Sequence, residues 1–271
     1  MQAWPLLALP ALMVAGLIEA MLWRRLRGRP YPWGEGLASI GVAIGQAIKR
    51  LLAGGAVIAL FFAVWAWRPW TVPLDTVWGA ALCFLAVEFA YYWHHRLHHR
   101  VRWFWATHAV HHSPNEMTFL AAIRLGWTEE ISGGFLPFLA LPLLGFHPFG
   151  VLAALAANLL YQFWIHTETV PKLGWLEYVL NTPSNHRVHH ASNDRYLDRN
   201  FGGVLIIFDR IFGTYTPEAE EEPCRYGLTK PIHSRNPFVI AFHEWGNLWR
   251  DVRRAVSVRG KVRVLFGPPG G

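Results

Sequence analysis

Histidine is spread unevenly along this chain, and the unevenness constrains the fold more than any other feature. Of the 14 histidines in 271 residues, most stand in three short clusters. The first is Trp93-His-His-Arg-Leu-His-His-Arg, in which His95 and His99 are four residues apart, as are His94 and His98. On a helix such a pair shares one face, about 6 Å apart along the axis. His108, His111 and His112 follow at i, i+3 and i+4, a spacing that predicts three rings on one helical face, and His186, His189 and His190 repeat it. His166 stands alone where the last long apolar segment ends. Imidazole is a ligand for iron, zinc and copper, and it binds in its neutral form. Two metal ions that keep positions open for oxygen need roughly eight or nine nitrogen ligands. His95, His99, His108, His111, His112, His166, His186, His189 and His190 supply that number and are the candidate ligands of a dimetal site, with iron expected and zinc possible in purified protein. His94 and His98 lie on a neighbouring face, as supporting or alternative ligands. His147, His233 and His243 are isolated and read as loop or packing residues.

The apolar runs place these histidines. Charged residues make up 16% of the chain, against about a quarter in soluble domains, which predicts that much of the chain lies in lipid. Pro5 to Trp23 is the first apolar segment; no basic residue precedes it, so it lacks the charged start of a cleavable signal. Arg24, Arg25, Arg27 and Arg29 follow, which puts that end in the cytoplasm and the N-terminus outside. Tyr31 to Arg50 is glycine-rich, with Leu37, Ile40, Ile44, Ile48 and Leu51 at helical spacing, an interfacial helix or an extension of the next span. Leu51 to Trp67 is the second span and Val77 to Trp93 the third, running inward into the first cluster. Phe135 to Leu144 and Val151 to Ile165 are each shorter than the ~20 residues a comfortable crossing requires. They form a hairpin, full or re-entrant, that begins and ends on the cytoplasmic side. Every cluster then falls on one side of the bilayer.

The expected fold is all-α: an integral membrane bundle of four or five embedded segments under a cytoplasmic-side helical cap that carries the dimetal site. A single membrane-embedded domain spans 1–271, and 217–271 forms a C-terminal loop and an amphipathic helix. On that helix Phe238, Phe242, Trp245, Trp249 and Val252 mark one face beside Arg250, Arg253 and Arg254, to lie on the membrane or to pack on the core. The formal charge of +7 is read as topology and contact with anionic headgroups, and no nucleic-acid partner is expected. Cys83 and Cys224 suggest neither a disulfide framework nor a thiolate metal site.

These clusters resemble the motifs of the fatty acid hydroxylase (sterol desaturase) superfamily, over roughly Leu82 to Thr216. Tyr161-Gln-Phe-Trp-Ile-His-Thr-Glu, Asn181-Thr-Pro-Ser-Asn-His-Arg-Val-His-His, Asn200-Phe-Gly-Gly and Asp209-Arg-Ile-Phe-Gly-Thr are most similar to the alkylglycerol monooxygenase branch and its bacterial relatives. The resemblance implies a catalytic core over 82–216 with the nine histidines above as ligands. Glu88 departs from the pattern, which has aspartate there; the carboxylate kept could bond a ligand histidine or merely end a helix. By the same resemblance the chain would use O₂ to attack a C–H bond of a lipid, hydroxylating it in preference to desaturating it. The electron donor would be a partner protein or a diffusible reductant, and the alkylglycerol branch implies a reduced pterin. No residues beyond the metal ligands are expected to be catalytic. Two other classes compete: a membrane haem or other electron carrier, which wants histidine pairs inside the spans, and a zinc hydrolase or a zinc-binding membrane protein without oxygenase activity.

Overall fold

The computed structural model describes the backbone of residues 4–270 and side chains from Met13 onward. The outward part of the expected first span, before Met13, lies outside the described side chains. Among the described residues the chain is helical, with no β-strand; Leu180 pairs with Leu205 and Ala191 with Tyr226 only as isolated bridges.

Helix α1 (Trp4–Arg27) leads into α2 (Trp33–Trp65), one helix of 33 residues, so the glycine-rich stretch is an extension of the second span. The glycines have a packing reason. A Cβ at Gly45 would overlap the Trp127 ring, and one at Gly41 the ring of Pro237. Trp127 is held there by its indole N–H, which donates to Val42 O over 2.8 Å. The first half of α2 is therefore clamped to the cap, and the half after Lys49 leaves it, with Leu51 and Leu52 exposed. That half and α7 (Pro148–Ile165) belong to the two helices, among the described residues, that are long and apolar enough to cross a membrane.

Helix α3 (Val77–Arg100) starts at Thr76, whose side chain caps Gly79 N, and runs without a break through the first histidine cluster. It is built inside out. Val77, Trp78, Leu82, Leu85 and Phe89 face outward, whereas Glu88, His95 and His99 are buried. From α7, Asn158 and Gln162 turn inward to meet it. An apolar outer face over a polar interior suits a lipid surround.

Phe135 to Leu144 is not one helix. It comprises a 3-10 turn (Leu136–Leu139) and α6 (Ala140–Leu143), interrupted by Pro137 and Pro142. The segment still covers the depth of the bundle. Glu130, in α5 (Glu129–Ser132), pairs with Lys49 of α2 at the histidine end. At the other end the Trp70 indole donates to Leu144 O over 2.9 Å and Val72 N donates to Gly145 O over 2.9 Å. The hairpin therefore runs the same depth as α2 from Lys49 to Trp65, about 24 Å at ~1.5 Å per residue.

The cap contains α4 (Arg102–His108), α8 (Pro183–His190), α9 (Ile207–Ile211), α10 (Pro237–Arg254) and α11 (Val258–Phe266). Helix α10 packs on the core through a face other than the aromatic one, which stays largely outward, as the membrane-lying alternative requires. Its buried residues are Ile240, Ala241 and Leu248, and Arg102 of α4 pairs with its Glu244 and Asp251. Phe238, Phe242 and Trp249 stay partly exposed at the rim. Their indole and phenyl rings still find Trp127 and Trp103 there. Helix α11 was not foreseen in the sequence. The chain beyond it is fixed by Arg102 N, which donates to Gly267 O over 2.9 Å.

Candidate metal centre

All nine candidate ligands come together, and they divide into two groups. His95, His99, His108, His112 and His189 form one; His111, His166, His186 and His190 form the other. Within each group the potential ligand atoms lie within 4.8 Å of one another. The division corrects one expectation. His108, His111 and His112 do not share a helical face, because α4 ends at His108 and the next residues form a turn closed by His111 N donating to His108 O. The turn sends His111 to one group and leaves His108 and His112 in the other. On α8 the single shared face is not kept either: His186 and His190, at i and i+4, join one group, while His189 joins the opposite one. Thr182 caps this helix through Asn185 N, Pro183 starts it, and all eight of its residues are buried. Each triple cluster thus serves both groups.

The rings are oriented from behind through Nδ1. His95 donates to Phe201 O over 2.9 Å and His189 to Arg199 O over 2.9 Å, and Asp198 stands 3.5 Å from His99 Nδ1. One loop, 198–202, therefore backs three rings of the five-histidine group. Its backbone is held in an unfavourable shape: Asp198 and Asn200 have φ of 58° and 57°, in the left-handed region that non-glycine residues rarely adopt. Asn200 Nδ2 secures it by donating to Asn185 O and Thr216 O, and Asp209 accepts from Phe201 N, Gly202 N and Thr214 Oγ1. The other group is backed from elsewhere. His166 donates to Gln162 O and His111 to Arg124 O. Arg124 is buried and is itself held by Ser39, Ser113 and Glu35. Such outer partners set the tautomer and direction of a ligand imidazole.

Where Nδ1 donates to a carbonyl, at His95, His111, His166 and His189, Nε2 is left with its lone pair, and the Nε2 atoms converge. His95 and His112 Nε2 lie 3.1 and 3.2 Å from His108 Nε2, and His111 and His186 Nε2 lie 3.1 and 2.9 Å from His166 Nε2. The Nε2 atoms of His99, His189 and His190 are buried without a partner. His108 has at most one proton to offer at Nε2 and two neighbours within reach of it, so the rings cannot satisfy one another. A cation in each group would. Nitrogens bound at right angles to one ion at about 2.1 Å stand about 3.0 Å apart, the separation found here. Burial, reinforced by the adjacent rings, pushes His108, His112, His186, His189 and His190 well below the usual histidine range, and burial takes His111 down to about 4. The rings are thus held neutral, the form that binds metal. The donor set fits two metal ions.

Glu88 does not bond a ligand histidine. Its carboxylate accepts from Val204 N, Leu205 N and Asn158 Nδ2, in the loop beside Gly202 and on α7. Through Asn158 the chain of contacts continues to Gln162 and Tyr91 OH. His94 and His98 join neither group. They meet Glu129, which the sequence reading did not single out. Asp198 and Arg124 were also missed; neither lies within a histidine motif, and only Asp198 has a local signal, its closeness to the Asn200-Phe-Gly-Gly stretch. His147 packs among Phe62, Trp65 and Phe149, and His243 Nδ1 donates to Ile240 O on α10, both away from the two groups.

Residues 80–214 match the family model for fatty acid hydroxylase. Alkylglycerol monooxygenase of Homo sapiens is 38% identical over 257 residues, 94% of this chain and 57% of that protein. The Xenopus tropicalis alkylglycerol monooxygenase is 36% identical over 94% of this chain and 56% of the relative. A bacterial protein, ornithine lipid hydroxylase OlsE of Rhizobium tropici, is 27% identical over 73% of this chain and 59% of its own length. The chain thus spans a little over half the length of these curated relatives. No solved structure matches it. The chain belongs to the fatty acid hydroxylase family.

Proposed function

We propose that this protein is a membrane-embedded lipid monooxygenase whose nine histidines hold two iron ions. The observation that carries the reading is the convergence of buried, neutral Nε2 atoms in a group of five and a group of four. When bound, the metals would supply the activation of O₂ needed to attack an unactivated C–H bond. The protein's own part is positional. Loop 198–202, Gln162 and Arg124 aim the rings, and the buried cap keeps bulk water from the site. The apolar outer faces of α2, α3 and α7 adjoin it, a route for a lipid tail to approach from the bilayer.

Residues 82–216 are the catalytic core in this reading, and 217–271 brace it through α10. The positive-inside pattern of Arg24 to Arg29 and of Lys49-Arg50 puts the centre on the cytoplasmic side and the N-terminus outside. Electrons would then arrive from a cytoplasmic protein or a diffusible donor, with a reduced pterin the first to test. The names of the relatives favour hydroxylation, and an ether-linked glycerolipid is the first substrate to supply. A haem carrier fits the donors poorly, since a haem iron has two axial positions and cannot use four or five imidazoles.

The test is iron-loaded protein in lipid vesicles, given ¹⁸O₂, a reductant and an alkylglycerol lipid, with products read by mass spectrometry. A lipid that gains one ¹⁸O atom supports the reading. Loss of two hydrogens would make the protein a desaturase, and no lipid change with any reductant, despite bound iron, would remove the proposal.

A further inference from the structure

A second cluster of metal-binding side chains lies beside the nine-histidine centre. His94 and His98 are one turn apart on α3, with ring centroids 4.1 Å apart. Each has its Nδ1 tied to a backbone carbonyl, His94 to Gly134 O over 2.8 Å and His98 to His94 O over 2.7 Å. This is the arrangement that orients the ligand rings of the larger centre, and here too it turns both Nε2 atoms to one point. At that point stands the Glu129 carboxylate, with Oε1 3.8 Å from His94 Nε2 and Oε2 3.3 Å from His98 Nε2.

Those separations bear on two readings, a direct ion pair and a bridging cation. A direct charge-assisted N–H···O bond would close to about 2.7–2.9 Å; His98 Nε2 is within hydrogen-bond reach of Glu129 Oε2 but longer than that, and His94 Nε2 is out of reach of Oε1. A cation between the groups, with nitrogen and oxygen each at about 2.0–2.2 Å, would hold them about 3.0–3.5 Å apart. One of the two pairs already stands at that distance, and the other needs a shift of a few tenths of an ångström. The space is kept open by Gly134, where a Cβ would press on His98 Nε2 at 2.8 Å and on the Glu129 carboxylate. The side chains of His94 and Glu129 are 15% and 30% exposed, so water can complete the coordination. The cluster shares no ligand with either larger group, although the His98 ring lies 5.6 Å from that of His108.

We propose that His94, His98 and Glu129 form a third, separate site for a zinc-class divalent cation, which fastens α5 to the inner end of α3 next to the oxygen-activating centre. Two nitrogens and one carboxylate oxygen are a donor set that zinc accepts readily. The ion's position gives it a structural part: α5 begins the broken arm of the hairpin, whose one-turn pieces are too short to be stable alone.

The experiment uses the whole chain in detergent, equilibrated with Zn²⁺ and freed of excess, with zinc per chain measured by plasma mass spectrometry. Wild type is compared with the His94→Ala/His98→Ala double variant and with Glu129→Gln. Wild type should carry one zinc more than the double variant, and Glu129→Gln should bind that zinc at least ten-fold more weakly. The readout is a difference, so it stands whether the nine histidines hold two ions, one or none. Equal zinc in all three proteins would overturn the site and leave a plain His98–Glu129 ion pair. Loss of all zinc in a folded variant would overturn its separateness. If the double variant does not fold, Glu129→Gln, isosteric and at a partly exposed position, decides alone.

Discussion

His166 and His186 direct their Nε2 atoms at each other across 2.9 Å, from the end of α7 and the middle of α8. His166 spends its Nδ1 proton on Gln162 O, and its lone pair can accept from His186; but His111, whose Nδ1 proton goes to Arg124 O, turns a second lone pair on the same atom across 3.1 Å. Contacts of this kind hold the centre together only when a cation lies among them, and the apo protein should be strained there.

Single ligand substitutions should report the two groups separately. His111→Ala removes a ligand from the group of four, and His189→Ala one from the group of five. Each should lower bound iron from about two ions toward one per chain and reduce oxidation by at least ~100-fold. His147→Ala and His233→Ala should leave both unchanged. Metal content and product per folded protein are the measurements. Equal losses in all four variants would mean that the clusters are not special, and full activity in either of the first two would take that residue out of the centre.

Asn200→Ala touches no candidate ligand, yet it should disable the five-histidine group. It removes bonds to Asn185 O and Thr216 O and the acceptor for Thr216 N, and it places alanine at a left-handed φ. The expected destabilisation is about 2–4 kcal/mol, with metal affinity reduced about 10–100-fold. Thermal melts with and without added iron would show it; an unchanged affinity would mean that loop 198–202 does not orient His95 and His189.

Acid should unfold the metal-free protein in a defined window. His111 titrates near 4 in the fold, because burial opposes its charge, against 6.5 unfolded, and His108, His112, His186, His189 and His190 shift the same way. Depressed folded values mean that the unfolded chain binds protons first. Stability contributed by neutral rings is therefore complete above pH 6.5 and is lost as pH falls toward 4, by up to about 1.4 kcal/mol per pH unit for each ring. Melting temperature of chelated protein between pH 8 and pH 4.5 should be flat and then fall. A flat curve throughout would show that the rings are not buried neutral.

Sidedness can be read from two fusions. Arg27 pairs with Glu168, two residues past His166, and Ser192 follows His190 by two, so the fold puts both near the histidine end. Reporters at Arg27 and Ser192 should both read cytoplasmic. Opposite readings would break the fold assignment, whereas two external readings would invert the orientation alone.

Local periodicity was enough to bring out the three clusters whose rings gather in the fold, the helical class and the apolar helix that runs on after Lys49, because each depends on residues within a turn or two of one another; His166 was marked only by its place at the end of an apolar run. The sequence also marked Asn200 and Asp209, although only as parts of a resemblance; their work as anchors of the ligand-backing loop is visible only once they are packed. Tertiary structure alone decided how the rings divide. His111 parts from His108 and His112 because α4 stops at His108, and a helix end is set by what packs beyond it as much as by its own residues. Likewise Arg124, Asp198 and Glu129 reach His111, His99 and His98 from 13, 99 and 31 residues away. Spacing along a chain carries no information about partners so distant, since burying both ends of such a contact, and not any local pattern, brings them together.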